Sequence, residues 1–290
     1  MAYRRGDRII RFTPSFLPFT LVYAAVMAAV RVVDWILYGI RIEGRENLRG
    51  LPRAVLVSNH TLLLDPALVS HAISPRRTYF TMLEDTALIP YLGTFVRLLG
   101  GVPIPGGAAA LRTLEGAAST ALAELGLIHF FPEGECYRGC QDIRPFHPGA
   151  FLLACRAGLP VVPVTTVLHS RGLPAGFPPR VTMVIGSPVP PPPAGSSEHD
   201  LRRAAILMGR HVRALMQEAI DARGGSRALY RGVMPRLVKH PEPRTPCVAS
   251  TGPLPSAHAG GPARDFATPE APVRGSLRVD PGIVRLKPPA

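Results

Sequence analysis

Ala54-Val55-Leu56-Val57-Ser58-Asn59-His60-Thr61-Leu62-Leu63-Leu64-Asp65-Pro66 reads as a buried strand, a turn and the opening of a helix. The apolar run is short and rich in β-branched residues, which suits a strand buried in a sheet. Asp65-Pro66 opens a helix, because proline's fixed φ and missing N–H cost nothing in a first turn. Between them the turn carries His60, with a carboxylate five positions further on. In a strand–turn–helix of this kind Asp65 folds back on the imidazole and holds one tautomer, leaving the outer ring nitrogen to take a proton from a hydroxyl. By itself His-x4-Asp is a short pattern that chance supplies, and a loop histidine is commonly a solvated or capping group.

A second strand-end motif raises its weight. Leu127-Ile128-His129-Phe130 leads into Phe131-Pro132-Glu133-Gly134-Glu135 after a long helical segment, residues 108–125, which Gly126 stops. Around these two motifs strands and helices alternate. Helices are expected near 66–72, 89–98, 151–157 and 200–222, and strands near 78–82, 102–104, 161–167 and 180–185. Residues 41–48 read as a short exposed strand, and residues 188–193 as a polyproline break. The alternation predicts an α/β fold, a layered sheet flanked by helices, with an N-terminal membrane-entering helical segment. Three regions follow: a basic, membrane-associated segment over 1–40, a catalytic domain over 41–222, and a disordered Pro/Gly/Arg-rich tail over 223–290.

Asn59-His60-x4-Asp65, Phe131-Pro132-Glu133-Gly134, Pro145-Phe146-His147-Pro148-Gly149 and Val161-Val162-Pro163-Val164 occur in this order. Together they resemble the blocks of the glycerolipid acyltransferases, the lysophosphatidic acid acyltransferases and their relatives, over about residues 40 to 190. The resemblance implies a glycerol-phosphate-acyltransferase-like fold and transfer of a fatty acyl group from acyl-CoA or acyl carrier protein to a lysophospholipid hydroxyl. His60 would be the base and Asp65 would stabilise the imidazolium, with no covalent acyl-enzyme. Asn59 would support the turn. Glu133 and Gly134 would help place the acceptor or brace the site, and a buried hydrogen bond to backbone is the alternative role for Glu133. His129 and His147 lack an acid at matching spacing. The acyl chain would lie against the helices around 62–64 and 88–99.

Two stretches depart from the family pattern. Its second block closes on an arginine where a glycerol phosphate is the acceptor, whereas Gly101-Val102-Pro103-Ile104-Pro105-Gly106 has no basic residue. After Pro-Glu-Gly the family continues Thr-Arg-Ser, and this chain continues Glu135-Cys136-Tyr137-Arg138. Arg138 or Arg144 is therefore the expected anion contact, since a guanidinium pairs bidentately with phosphate from a long stem. A different lyso-lipid or a lipoamino acid remains open as acceptor, and a non-catalytic lipid-binding protein is the reading from another class.

The formal net charge of +13 favours an anionic partner. No zinc spacing, aromatic RNA-binding strand or helix-turn-helix signal points to nucleic acid, so a membrane lipid surface is the expected partner. Apart from Lys239 and Lys287 the positive charge is arginine, a mixture that a GC-rich coding bias also produces. Cys136, Cys140, Cys155 and Cys247 form no disulfide or zinc framework, and neither a metal nor a cofactor beyond the acyl donor is expected. Arg4, Arg5, Arg8 and Arg11 precede an uncharged stretch over 12–30, just long enough for one span. A span with its basic end inside would carry His60 away from cytosolic thioesters. The expectation is instead a segment that enters one leaflet and returns, shaped by Pro14 and Pro18 and broken at Arg31-Val32-Val33-Asp34, on the cytoplasmic face of the cell membrane. A cleaved signal peptide is the competing reading.

Overall fold

The structure, a computed structural model, describes residues 17–89, 91–104, 110–172 and 177–234. Seven strands, β1 (Arg41–Glu43), β2 (Ala54–Ser58), β3 (Tyr79–Leu83), β4 (Gly101–Ile104), β5 (Leu127–Phe130), β6 (Val161–His169) and β7 (Arg180–Ile185), form one sheet. Their order is β1-β7-β6-β2-β5-β3-β4. The five strands from β6 to β4 are parallel, and β7 joins β6 antiparallel with β1 parallel beside it.

Burial explains the composition of the central strands. All five residues of β2 are buried, because helices cover both faces. Val55 and Val57 point into a core with α5 (Ala110–Glu124), α6 (Gly149–Ala157) and α7 (Glu198–Ala222), while Ala54 and Leu56 face α2 (Asp65–Ile73). Ser197 caps α7 by accepting the Asp200 N–H at 3.2 Å. The core therefore sits in two layers, and the loops that follow β2 and β5 meet at the carboxyl edge of adjacent strands.

Four features differ from expectation. The helix expected over 89–98 forms only as α4 (Leu92–Leu98), and a separate short helix, α3 (Glu84–Leu88), precedes it. Ile89 is extended (φ −67°, ψ 123°), the conformation forced on a residue before proline. Gly93 lets the two helices touch, since a Cβ there would lie 2.0 Å from the Ala87 carbonyl oxygen. The strand expected over 41–48 ends at Glu43, where Gly44 (φ 77°) turns the chain against Ile185 into a 3-10 turn, Arg45–Leu48.

The third difference is at the N-terminus. Instead of breaking at residues 31–34, the chain stays helical through α1 (Leu17–Val33) and widens into a π-helical turn, Asp34–Tyr38, closed by left-handed Gly39. Asp34 is the reason a charge can sit there: it is 1% exposed and bonds His71 Nδ1 of α2 at 2.8 Å. Leu21–Tyr38 is long and apolar enough to cross a membrane, with mean hydropathy 1.7, and most of it faces outward. Residues 1–16, with the expected basic cluster and Pro14, lie outside the described residues, while Pro18 lies in the first turn of α1.

Residues 223–234 are folded, although the sequence placed them in the tail. Ser226 N donates to Leu168 O at 2.8 Å, Arg227 pairs with Asp142 and Asp221, and Val233 bridges Tyr137. The rest of the expected tail, 235–290, lies outside the described residues.

Candidate active site

The register Val57↔Phe130 sets the two strand-end motifs side by side. His60 Nδ1 lies 2.9 Å from Asp65 Oδ2, and the same oxygen accepts the backbone N–H groups of Thr61 at 2.6 Å and Leu62 at 2.8 Å. Three donors converge on one oxygen, which only a carboxylate with its acceptor lone pairs suits. Asp65 is fully buried, while the His60 side chain keeps 21% of its surface. With Nδ1–H given to Asp65, Nε2 is the nitrogen left with a lone pair. The ring is stacked on Phe131, centroids 4.0 Å apart, which fixes its plane.

Glu133 sits below. Its two carboxylate oxygens accept the backbone N–H of His60 at 3.0 Å and of Arg144 at 3.3 Å, so it braces the histidine turn against the loop after β5. Burial pushes its carboxyl up to about 8, against the two backbone donors, which favour the ionised form. Gly134 is exposed at φ 75°, where a Cβ would come 3.2 Å from the His147 ring. Asn59 points away from the dyad: Nδ2 donates to Thr166 O at 3.0 Å and Oδ1 accepts Thr166 N–H at 2.8 Å, clamping the turn to β6.

The two arginines of the expected anion contact take different places. Arg138 is exposed on a stretch whose backbone pairs with residues 231 and 232, and the Arg144 guanidinium lies over the Tyr137 ring at 5.1 Å. Both are on the loop that returns to His60, since Tyr137 N donates to His60 O and Gly139 N to Thr61 O, each at 2.9 Å. Cys136 belongs to the packing. It is 8% exposed, and burial, with Asp65 and Glu133 nearby, pushes its thiol up to about 12.

Sequence reasoning missed three supports. Thr166 Oγ1 reaches Asp65 Oδ1 at 3.4 Å, and its signal was the polar Thr165-Thr166 pair inside a valine strand. Phe131, quoted within its motif, carries the stacking. His129 is fully buried, bonds Ser58 Oγ at 2.8 Å and meets Phe131 edge-on; burial and then the neighbouring His60 lower it to about 3, so it stays neutral. Leu63, Leu64, Leu88, Tyr91 and Phe95, in the stretches expected to meet an acyl chain, are exposed apolar side chains.

Residues 39–167 match the family profile described as Acyltransferase. A 1-acyl-sn-glycerol-3-phosphate acyltransferase of Chlamydomonas reinhardtii is 32% identical over 58% of this chain and 52% of its own length. One from Haemophilus influenzae is 29% identical over 44% of this chain and 54% of its own. The chain thus spans about half the length of these curated relatives. The crystal structure of the 1-acyl-sn-glycerophosphate (LPA) acyltransferase PlsC from Thermotoga maritima shares the fold, with a TM-score of 0.54 at 23% identity, covering 72% of this chain and 82% of that one.

Proposed function

We propose, from the match of residues 39–167 to the Acyltransferase profile and the likeness to 1-acyl-sn-glycerol-3-phosphate acyltransferases, that the chain is a PlsC-like acyltransferase that transfers a fatty acyl group from a thioester to a lysophospholipid hydroxyl, converting lysophosphatidic acid to phosphatidic acid. The observation that carries the reading is the His60–Asp65 pair, held by three donors on one buried oxygen and open on its outer nitrogen. His60 Nε2 takes the acceptor's hydroxyl proton as the oxygen bonds the thioester carbonyl carbon. The tetrahedral adduct then breaks its C–S bond, and the thiol leaves with the proton that His60 held. Asp65 stabilises the imidazolium between these steps. Glu133 holds the backbone of the base in place, and Arg138 or Arg144 receives the acceptor's phosphate.

The donor is acyl-CoA or acyl carrier protein, which places the site on the cytoplasmic face of the cell membrane. The exposed apolar side chains of residues 63–95 receive the acyl chains. Purified full-length protein, given labelled acyl-CoA or acyl carrier protein and a panel of lyso-lipids, is expected to favour lysophosphatidic acid. Turnover only on an acceptor without a phosphomonoester would overturn the acceptor, and binding without turnover on any acceptor would make this a lipid-binding protein.

A further inference from the structure

A second histidine–aspartate pair lies away from the catalytic edge. Asp34, buried in the π-helical turn, holds Nδ1 of His71 near the C-terminal end of α2. Beside it opens a cavity of about 450 Å3 lined by Arg31, Trp35, Ile40, Ile42, Arg45 and His71, none of which lines the His60 site. The lining holds two guanidinium groups, an imidazole and no carboxylate. Among the described residues neither Arg31 nor Arg45 forms an ion pair. Arg45 donates from Nε to Ala72 O at 3.1 Å and from Nη2 to His71 O at 3.2 Å, which holds the fork still with N–H groups to spare. Arg31 is positioned by Ser74 Oγ. The other wall is apolar and continuous with the outward face of Leu21–Tyr38, where Trp35 is 74% exposed and Ile36 59%.

We propose that this cavity seats the phosphate of an anionic membrane lipid. Uncompensated guanidinium groups recognise phosphate by charge-assisted, bidentate hydrogen bonds. The adjoining apolar face admits the lipid's chains, and a soluble phosphate would have no use for it. The site is separate from the acceptor site, and its work is to seat α1, and through His71 and Arg45 the helix that carries Asp65, on the bilayer surface. This rests on the reading of α1 as membrane-associated.

Trp35 is the chain's single tryptophan, so its emission reports on the cavity directly. Full-length protein is titrated with phosphatidylcholine vesicles with and without phosphatidylglycerol, and separately with inorganic phosphate and glycerol phosphate. Phosphatidylglycerol is expected to tighten binding and shift the Trp35 emission. Arg31→Gln/Arg45→Gln should lose at least about tenfold of that gain, given the attraction of each basic side chain to an anionic surface. Arg203→Gln/Arg210→Gln removes the same charge from the exposed face of α7 and should keep the gain. Arg31→Gln alone, which gives up only the Ser74 bond, should lose part of it in a protein with unchanged thermal unfolding. Equal losses in both double variants, or none, would overturn the site. A Trp35 response to soluble phosphate as strong as to the lipid would overturn the lipid assignment. Failure to bind either vesicle would remove the membrane reading itself, a result distinct from binding both equally, which removes this site alone.

Discussion

Asp65 Oδ2 collects three donors, so Asp65→Asn keeps the shape of the turn while removing the charge that supports an imidazolium. His60→Ala and Asp65→Asn are each expected to lower kcat by about 10²–10⁴-fold with circular dichroism unchanged, the range for loss of a general base. A folded His60→Ala protein that keeps more than about a tenth of the rate would exclude this base. Arg144→Met or Arg138→Met should raise KM for a phosphate-bearing acceptor more than for the thioester, as loss of a charge-assisted hydrogen bond worth about 1.5–3 kcal/mol requires. Small, equal effects of both substitutions on both substrates would point to an acceptor without a phosphomonoester.

Glu133 and His129 give stability opposite dependences on pH. Glu133 rises from an ordinary 4.5 to about 8, so the folded state binds its proton more tightly than the unfolded state. Its contribution is fully present below about 4.5 and is lost as pH rises through about 8. His129 falls from 6.5 to about 3, so its contribution is present above 6.5 and is lost as pH falls through about 3. The stability difference between wild type and Glu133→Gln should therefore decline by roughly 1.4 kcal/mol per pH unit as pH rises across the first window. For wild type against His129→Leu it should decline as pH falls across the second. Urea unfolding measured across both windows tests each, and a flat difference would show that the group titrates alike in folded and unfolded chains.

At the scale of elements, the loop after β5 depends on a contact its own sequence does not announce. Gly139 has φ 73°, and a Cβ there would lie 1.9 Å from Leu229 O, in the segment 223–234. Gly139→Ala should displace that segment and weaken the Tyr137–Val233 bridge. The expected cost is about 1–3 kcal/mol in urea unfolding, the range for backbone strain at a forced conformation. Limited proteolysis near Arg231 should speed up as well; an unchanged cleavage rate would mean that the segment docks without the glycine. The same loop returns to the histidine turn through Tyr137 and Gly139, so the variant should also slow transfer.

At the scale of the whole molecule, α1 belongs both to the outward apolar surface and to the core. Met27 is 8% exposed, Tyr23 stacks under the Arg77 guanidinium at 3.9 Å, and Tyr38 and Ile40 pack against the α2 side of the sheet. A chain starting at Ile42 forfeits about 25 cal/mol for each Å² of apolar surface that α1 buries in lipid or protein. It should lose vesicle co-sedimentation and most activity on bilayer-embedded acceptors, and also unfold at lower temperature, since Asp34 no longer meets His71. Full retention of vesicle binding by the shortened chain would place the membrane contact elsewhere.

What the sequence by itself determined is short-ranged. His60 and Asp65 are five residues apart, so a strand end, a turn and a proline-opened helix bring them together whatever the rest of the chain does. For the same reason the β-branched-rich segment 180–185 could be read as a strand to its last residue. Contacts across long separations were decided by tertiary structure alone: Glu133 to the backbone of His60, Asn59 to Thr166, Asp34 to His71, and residues 223–234 to the site loop. Each follows from strand order and register, which are chosen by burying both faces of the sheet at once. No window of sequence contains that condition. Residues 223–234 make the point most clearly, because their Gly- and Arg-rich composition has no apolar periodicity and acquires structure from the backbone groups that β6 and the loop after β5 leave for them to pair with and from the ion pairs of Arg223 and Arg227.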